Sequence, residues 1–270
     1  MFDLDENTPT RAPDGPGNTL FVPTIDPKSK DNTNRFPLDD VDINCVSNED
    51  LVSLVDSAPV LFQVGPNKVL RISRDLILKC GPFVLPSEAK AMEIARENTT
   101  ILLPQIYRSF QVPNRTTYYE TTGYIVMDYI YGENLGDCWK QLDTKQKDDV
   151  ICQTAMIISQ LQSIEISSAG PIGGGPCIGR LFSDYGAGPF NSGSEMEAPR
   201  NIILDTDKRV WLIDWGNAGA YPPAFERGTI NQQFRFPEFN KMLLNALSEY
   251  VTETHQLKSI EFELTVSPFA

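Results

Sequence analysis

The sequence predicts an α+β chain in two lobes, a small antiparallel β-rich half followed by a helical half. Three observations predict it. Short β segments separated by turn residues fill much of 61–130. One run of strong helix formers, 87–96, interrupts them. From Gly132 onward the apolar residues switch to a spacing of three and four.

Taken in order, residues 1–47 are rich in Pro, Asp, Asn and Gly and poor in aliphatics, which predicts a disordered acidic tail. Structure is expected to begin near Asn48, a helix N-cap for the run Leu51, Val52, Leu54, Val55. Strands are predicted at 61–64, 69–72 and 76–80, then the helix 87–96 behind a Ser87 cap, then strands at 105–110 and 123–130. A β-rich lobe of 48–131 follows from these. The helical lobe, 132–270, opens with Leu135, Cys138, Trp139 and Leu142 on one face. Thr144 can cap a longer helix with the stripe Val150, Ile151, Ile157, Ile158, Leu161 and Ile164. A glycine-rich loop at 170–176 leads into irregular chain up to about Pro199. A hairpin turns at Asp205-Thr206-Asp207, with 210–213 as its second strand, and a last helix carries Phe239, Met242, Leu243, Ala246, Leu247 and Tyr250.

With 41% hydrophobic residues, 270 residues suffice for one large core or for two lobes sharing a cleft. There are 36 acidic and 23 basic residues, a formal charge of −13. That balance argues against nucleic acid and anionic membrane as partners, since both require clustered Lys and Arg. It also means that any nucleotide site must bring its own local positive charge and metal. The five cysteines have neither metal-ligand nor redox spacing, and nothing near Met1 reads as a signal peptide, so a cytoplasmic protein with reduced thiols is expected. A single histidine, His255, leaves no basis for a Ser-His-Asp triad.

Two pairs of residues can carry chemistry. Lys79 ends an apolar strand and Glu88 lies nine residues on, in the following helix, so the two can pair across a cleft while the lysine holds a phosphate. The alternative is a snorkelling lysine and an ordinary helix glutamate. Asn201 and Asp214 flank the hairpin strands, and their oxygens together form a hard site suited to Mg²⁺. The alternative is a pair of turn residues. Gly173-Gly174-Gly175 lacks the Gly-Lys-Ser/Thr of a Walker loop. Trp215 and Tyr221 are expected to pack rather than to form a stacking platform.

In combination these segments are more specific. The run 69–82 containing Lys79, then 87–92 containing Glu88, then 124–133 ending in Gly132-Glu133, resemble the fungal phosphotransferase family related to aminoglycoside phosphotransferases. So do Gly173-Gly174-Gly175-Pro176-Cys177, Gly188-Pro189-Phe190, the run 199–205 and the run 213–219 with Asp214-Trp215-Gly216. The resemblance covers residues 60–226 and implies a two-lobed protein-kinase-like fold using ATP and Mg²⁺. It implies Lys79 on phosphates, Glu88 orienting it, Met127, Asp128 and Tyr129 beside the adenine, and Asn201 and Asp214 on the metal. The acceptor would be a hydroxyl of a small molecule.

One departure stands out. The family's motif is His-Gly-Asp-x-x-x-x-Asn, with the Asp as catalytic base. Counting back from Asn201 places Ser194 at the His and Met196 at the Asp. Gly188-Pro189-Phe190 stands only about ten residues before Asn201, where the family has several helical turns. This reads as a deletion in the helical lobe that removes the base, for which Glu195 or Glu197 would be poorly placed substitutes. Activity is therefore expected to be reduced or lost. The alternatives are a non-catalytic pseudokinase acting through a protein partner, and a truncated gene product.

Overall fold

The structure, a computed structural model, describes Lys28 and residues 35–166, 170–172, 198–250 and 252–253. Packed chain begins before Asn48. Phe36, Ile43 and Val46 are buried, and the Leu38 N–H donates to the Ile72 carbonyl at 2.8 Å. Composition predicts a disordered tail through residue 47, but these few apolar residues are enough to dock 35–47 on the β sheet. The remainder of that predicted tail, apart from Lys28, lies outside the described residues. Helix α1 (Asn48–Ser53) is capped by Ser47 rather than by Asn48. The Ser47 hydroxyl accepts from the Asp50 N–H, and the Asp50 carboxylate accepts from the Ser47 N–H, a reciprocal capping box.

Strands β1 (Val60–Val64), β2 (Asn67–Arg71) and β3 (Leu76–Gly81) follow, close to their predicted positions. A two-residue turn, Gly65-Pro66, joins β1 to β2, with Gly65 at φ 53° where a side chain would be strained. Helix α2 (Pro86–Asn98) starts one residue before Ser87 and has no side-chain cap; Pro86 at its first turn pre-sets φ instead. Strands β4 (Ile106–Pro113) and β5 (Thr121–Asp128) complete an antiparallel sheet ordered β1-β2-β3-β5-β4. One face buries Leu70, Leu78 and Val126 beneath α1 and the 35–47 segment; the other packs Ile125 and Met127 on α2.

The chain then crosses to the helical half through β6 (Gly132–Asn134), which leads directly into the short helix α3 (Leu135–Cys138). Helix α4 (Thr144–Gln162) is capped by Asp143, not Thr144, again through a capping box, here with Gln146. Of its predicted stripe, Val150, Ile151, Ile157 and Ile158 are buried, Leu161 is half-buried, and Ile164 lies beyond the helix end. Strand β7 (Gly170–Pro171) gives the start of the predicted glycine-rich loop a sheet partner. The hairpin is β8 (Ile202–Asp205) and β9 (Val210–Leu212), and β10 (Gly219–Ala220) pairs with β7. Helix α5 (Pro223–Gln232) has no counterpart in the sequence reading. Gly228, Thr229 and Asn231 weaken its propensity, and burial of Ala224 and Ile230 compensates. Helix α6 (Pro237–Ala246) is held to α4 by Glu238, which accepts from Lys147 Nζ and Trp139 Nε1.

Among the described residues no helix is long and apolar enough to cross a membrane. Cys45, Cys80, Cys138 and Cys152 are free thiols. Burial pushes the Cys80 thiol up to about 11 and also raises Cys138, whereas Cys45 and Cys152 are exposed. A maleimide at neutral pH should therefore modify Cys45 and Cys152 in the folded protein, and Cys80 and Cys138 only after unfolding. Peptide mass spectrometry reads this directly; equal labelling rates at all four would contradict the packing.

Candidate active site

The β3 ladder fixes Lys79 opposite Val69 on one side and Ile125 on the other. Its neighbours Leu78 and Cys80 are buried on the opposite face, so strand alternation sends Lys79 toward α2. There its ammonium meets Glu88 Oε1 at 2.6 Å and Asp214 Oδ1 at 2.7 Å. The predicted Lys79–Glu88 pair is thus present, and the structure adds Asp214, which sequence spacing had joined only to Asn201. The Glu88 side chain is 1% exposed, while that of Asp214 is 44% exposed.

Three charges share this point: one cation and two carboxylates. Burial works to lower the Lys79 pKa, but Glu88 and Asp214 more than reverse it, so the ammonium is held above its ordinary value. Burial raises Glu88, Lys79 opposes that rise, and the Asp214 carboxylate adds to it. The Trp215 N–H also faces the Glu88 carboxylate and favours its charged form.

Asp214 has φ 59°, a left-handed conformation that costs a non-glycine residue about 1–2 kcal/mol. Such strain persists only where the surroundings over-determine it. Here the hairpin does so. The Ile213 N–H donates to the Asn201 carbonyl at 2.9 Å, which extends the β8–β9 ladder to the residue before Asp214. Asn201 ends a 3₁₀ turn, Ala198–Asn201, at the foot of β8. The hairpin's far turn is closed by Asp205, which accepts from the Asp207 and Arg209 N–H groups and from Trp211 Nε1. Burial opposes ionisation of Asp205, yet these donors hold its carboxyl below the ordinary range.

Two contacts brace the hairpin, one to the small lobe and one to the strand that follows the linker. The Leu212 N–H donates to the Leu102 carbonyl, just beyond α2, and β6 pairs with β8 in the register Gly132↔Asp205. Glu88 and Asp214 therefore sit on elements braced against each other.

The side chains of the predicted adenine-side residues are engaged elsewhere. Met127 is buried in the core. The Asp128 carboxylate accepts from the Gln105 N–H and the Tyr107 hydroxyl. The Tyr129 ring lies 3.3 Å beneath the Arg71 guanidinium. What the linker can offer a ligand is its main chain: the N–H groups of Ile130 and Tyr131 make no hydrogen bond to the described residues.

Among the described residues no group of three or more His, Cys, Asp and Glu could hold a metal. Asp214 Oδ1 is taken up by Lys79, so a cation bound there would have to bring most of its own ligands, as Mg²⁺ does with phosphates and water. The Asn201 side chain makes no hydrogen bond to the described residues. Ser194, Glu195, Met196 and Glu197 lie outside the described residues, as do His255 and Cys177. Trp215 is buried in the core, as expected of a packing residue. Among the described residues a cleft of about 320 Å³ lies between α4 and the hairpin turn, lined by Val150, Leu204, Gln153 and Lys208. It contains none of the cluster and plays no part in the site.

No family model matches the sequence, and no curated protein matches it. Solved structures do. The GDP complex of wild-type aminoglycoside 2'-phosphotransferase-IIIa superposes with a TM-score of 0.52 at 12% identity, covering 76% of this chain and 81% of that one. The GDP complex of a point mutant of that enzyme gives 0.52 at 13% identity over 82% and 83% of the two chains. The GDP and kanamycin complex of APH(2")-IIia gives 0.50 at 12% identity over 82% and 84%. The chain has the two-lobed α+β, kinase-like fold of aminoglycoside phosphotransferases.

Proposed function

We propose that this chain is a phosphotransferase-like protein that holds ATP with Mg²⁺ between its lobes. The observation that carries the reading is the Lys79 ammonium placed between Glu88 and Asp214, in a fold whose solved examples hold GDP. Lys79 would turn from Asp214 to the phosphates, Glu88 would keep it in place, and Asp214 with Asn201 would take the metal. The linker backbone after Asp128 would meet the purine edge. The 48–131 and 132–270 segments are the two lobes of this arrangement, and a small-molecule hydroxyl is the acceptor it points to.

Transfer itself is expected to be weak or absent. Met196 stands where the resemblance places the base, and a thioether cannot take a hydroxyl proton at neutral pH. A general base typically contributes about 10²–10⁴-fold. Met196 equally supports a second reading, a pseudokinase that binds nucleotide and acts through a partner.

A thermal-shift titration tests the nucleotide reading. ATP at 100 times its dissociation constant stabilises by about 2.7 kcal/mol, a visible shift. The shift should require Mg²⁺ and vanish in Asp214→Ala. No shift at millimolar Mg-ATP overturns the proposal. Rapid turnover with a hydroxylated small molecule would instead favour an active enzyme, and Glu195→Ala and Glu197→Ala would then locate the base.

A further inference from the structure

Arg71 is the largest of the fully buried side chains, at 0% exposure. Its guanidinium lies over the Tyr129 ring at 3.3 Å and also faces Tyr131 at 5.3 Å and Phe36 at 4.9 Å. It donates to the Ser73 carbonyl at 2.6 Å, to the Arg74 carbonyl, and to the Tyr131 hydroxyl at 3.2 Å. The Tyr131 hydroxyl in turn donates to the Arg74 carbonyl at 2.7 Å. A buried cation between three aromatic rings, with its donors directed, fixes all of them in one arrangement.

The rings come from two places. Tyr129 and Tyr131 belong to the linker between the lobes. Phe36, 3% exposed, comes from the N-terminal segment. That segment is held by Asp39, which accepts from the Phe36 and Arg74 N–H groups at 2.8 Å each. Arg108 holds its other end through the Ile43 and Val46 carbonyls.

We infer that Arg71 is a positioning residue for the purine side of the nucleotide site, and that the docked 35–46 segment sets the linker through it. The inference rests on the nucleotide reading above. It separates the site into two ends: the linker end depends on Arg71 and Phe36, and the phosphate end on Lys79 and Asp214.

Calorimetric titration of the full chain with Mg-ATP and with Mg-tripolyphosphate, which lacks a purine, tests it. Phe36→Ala and Tyr131→Phe loosen the box without removing the buried cation. Leu243→Ala, in the helical half, controls for lost stability. Phe36→Ala and Tyr131→Phe should bind ATP about tenfold more weakly, as the competent linker becomes a minor state, with tripolyphosphate affinity unchanged. Parallel loss of both ligands, or the same change of ratio in Leu243→Ala, makes the box merely structural and overturns the inference. So does unchanged ATP affinity in both variants, or wild-type protein that binds ATP no more tightly than tripolyphosphate. Wild-type protein that binds neither ligand overturns the nucleotide reading, and this inference with it.

Discussion

Lys79→Met should destabilise the folded protein by about 3–5 kcal/mol, because it leaves the Glu88 carboxylate buried and unpaired. Asp214, nearly half exposed, can hydrate, but Glu88, at 1%, cannot. The pH dependence separates this cause from lost packing. Lys79 is raised above its ordinary value, so its contribution is fully present below the unfolded pKa of 10.5 and is lost only as pH climbs through the folded one. In the variant the Glu88 pKa rises further, so the folded state binds a proton that the unfolded state does not. Stability of the variant then increases as pH falls toward 4.5, the unfolded value. The gap between wild type and variant should be widest near neutral pH, narrowing toward acid and again above 10.5. Chemical denaturation across pH measures it. A gap independent of pH would mean that the pair contributes through shape alone.

A second large effect is expected at Gly132, where the linker meets the β8–β9 hairpin. A Cβ built there meets the Leu204 carbonyl oxygen at 2.2 Å, a backbone atom that cannot rotate away. Gly132→Ala must therefore part β6 from β8, at a cost of about 1–3 kcal/mol or more. The damage should spread beyond stability, since β8 carries Asn201 at its foot. Hydrogen exchange should show faster opening of the Glu133, Leu204 and Ile213 amides, with β2 and β3 unaffected. Uniform acceleration across the chain, or none, would show that the pairing does not brace the hairpin.

The strand positions and the Lys79–Glu88 pair were legible because turn residues and alternation mark short antiparallel strands, and because α2 is built from strong helix formers. The hairpin that Asn201 and Asp214 flank was legible from its turn residues, and the structure has it, with the Ile213 N–H on the Asn201 carbonyl. The triple contact at Lys79 was not, because it depends on how the hairpin docks against α2, through Leu102 and Leu212, and no local pattern encodes that. Segment 35–47 escaped for a related reason. Its composition is that of a tail, and only Phe36, Ile43 and Val46 finding partners on a sheet already formed makes it part of the fold. The Arg71 box left no signal either. In sequence Arg71 is one charged residue in a strand, and its aromatic partners lie 35 residues before it and 58 and 60 after it. Asn48 and Thr144 were misassigned as caps because each follows a residue, Ser47 or Asp143, that makes the better capping box.

The two-residue turn between β1 and β2 bears on how fast a ligand would come and go. It lies just beyond the Lys68↔Cys80 pair, at the end of the sheet nearest Lys79 on β3. Pro66 has no N–H, and a hairpin closed this tightly has no spare length to fold down as a cover over phosphates. Among the described residues nothing at that edge has to open before a nucleotide leaves. Residence time would then be set by the phosphate and linker contacts rather than by motion of this turn. Exchange of a bound nucleotide past this edge should therefore be rapid.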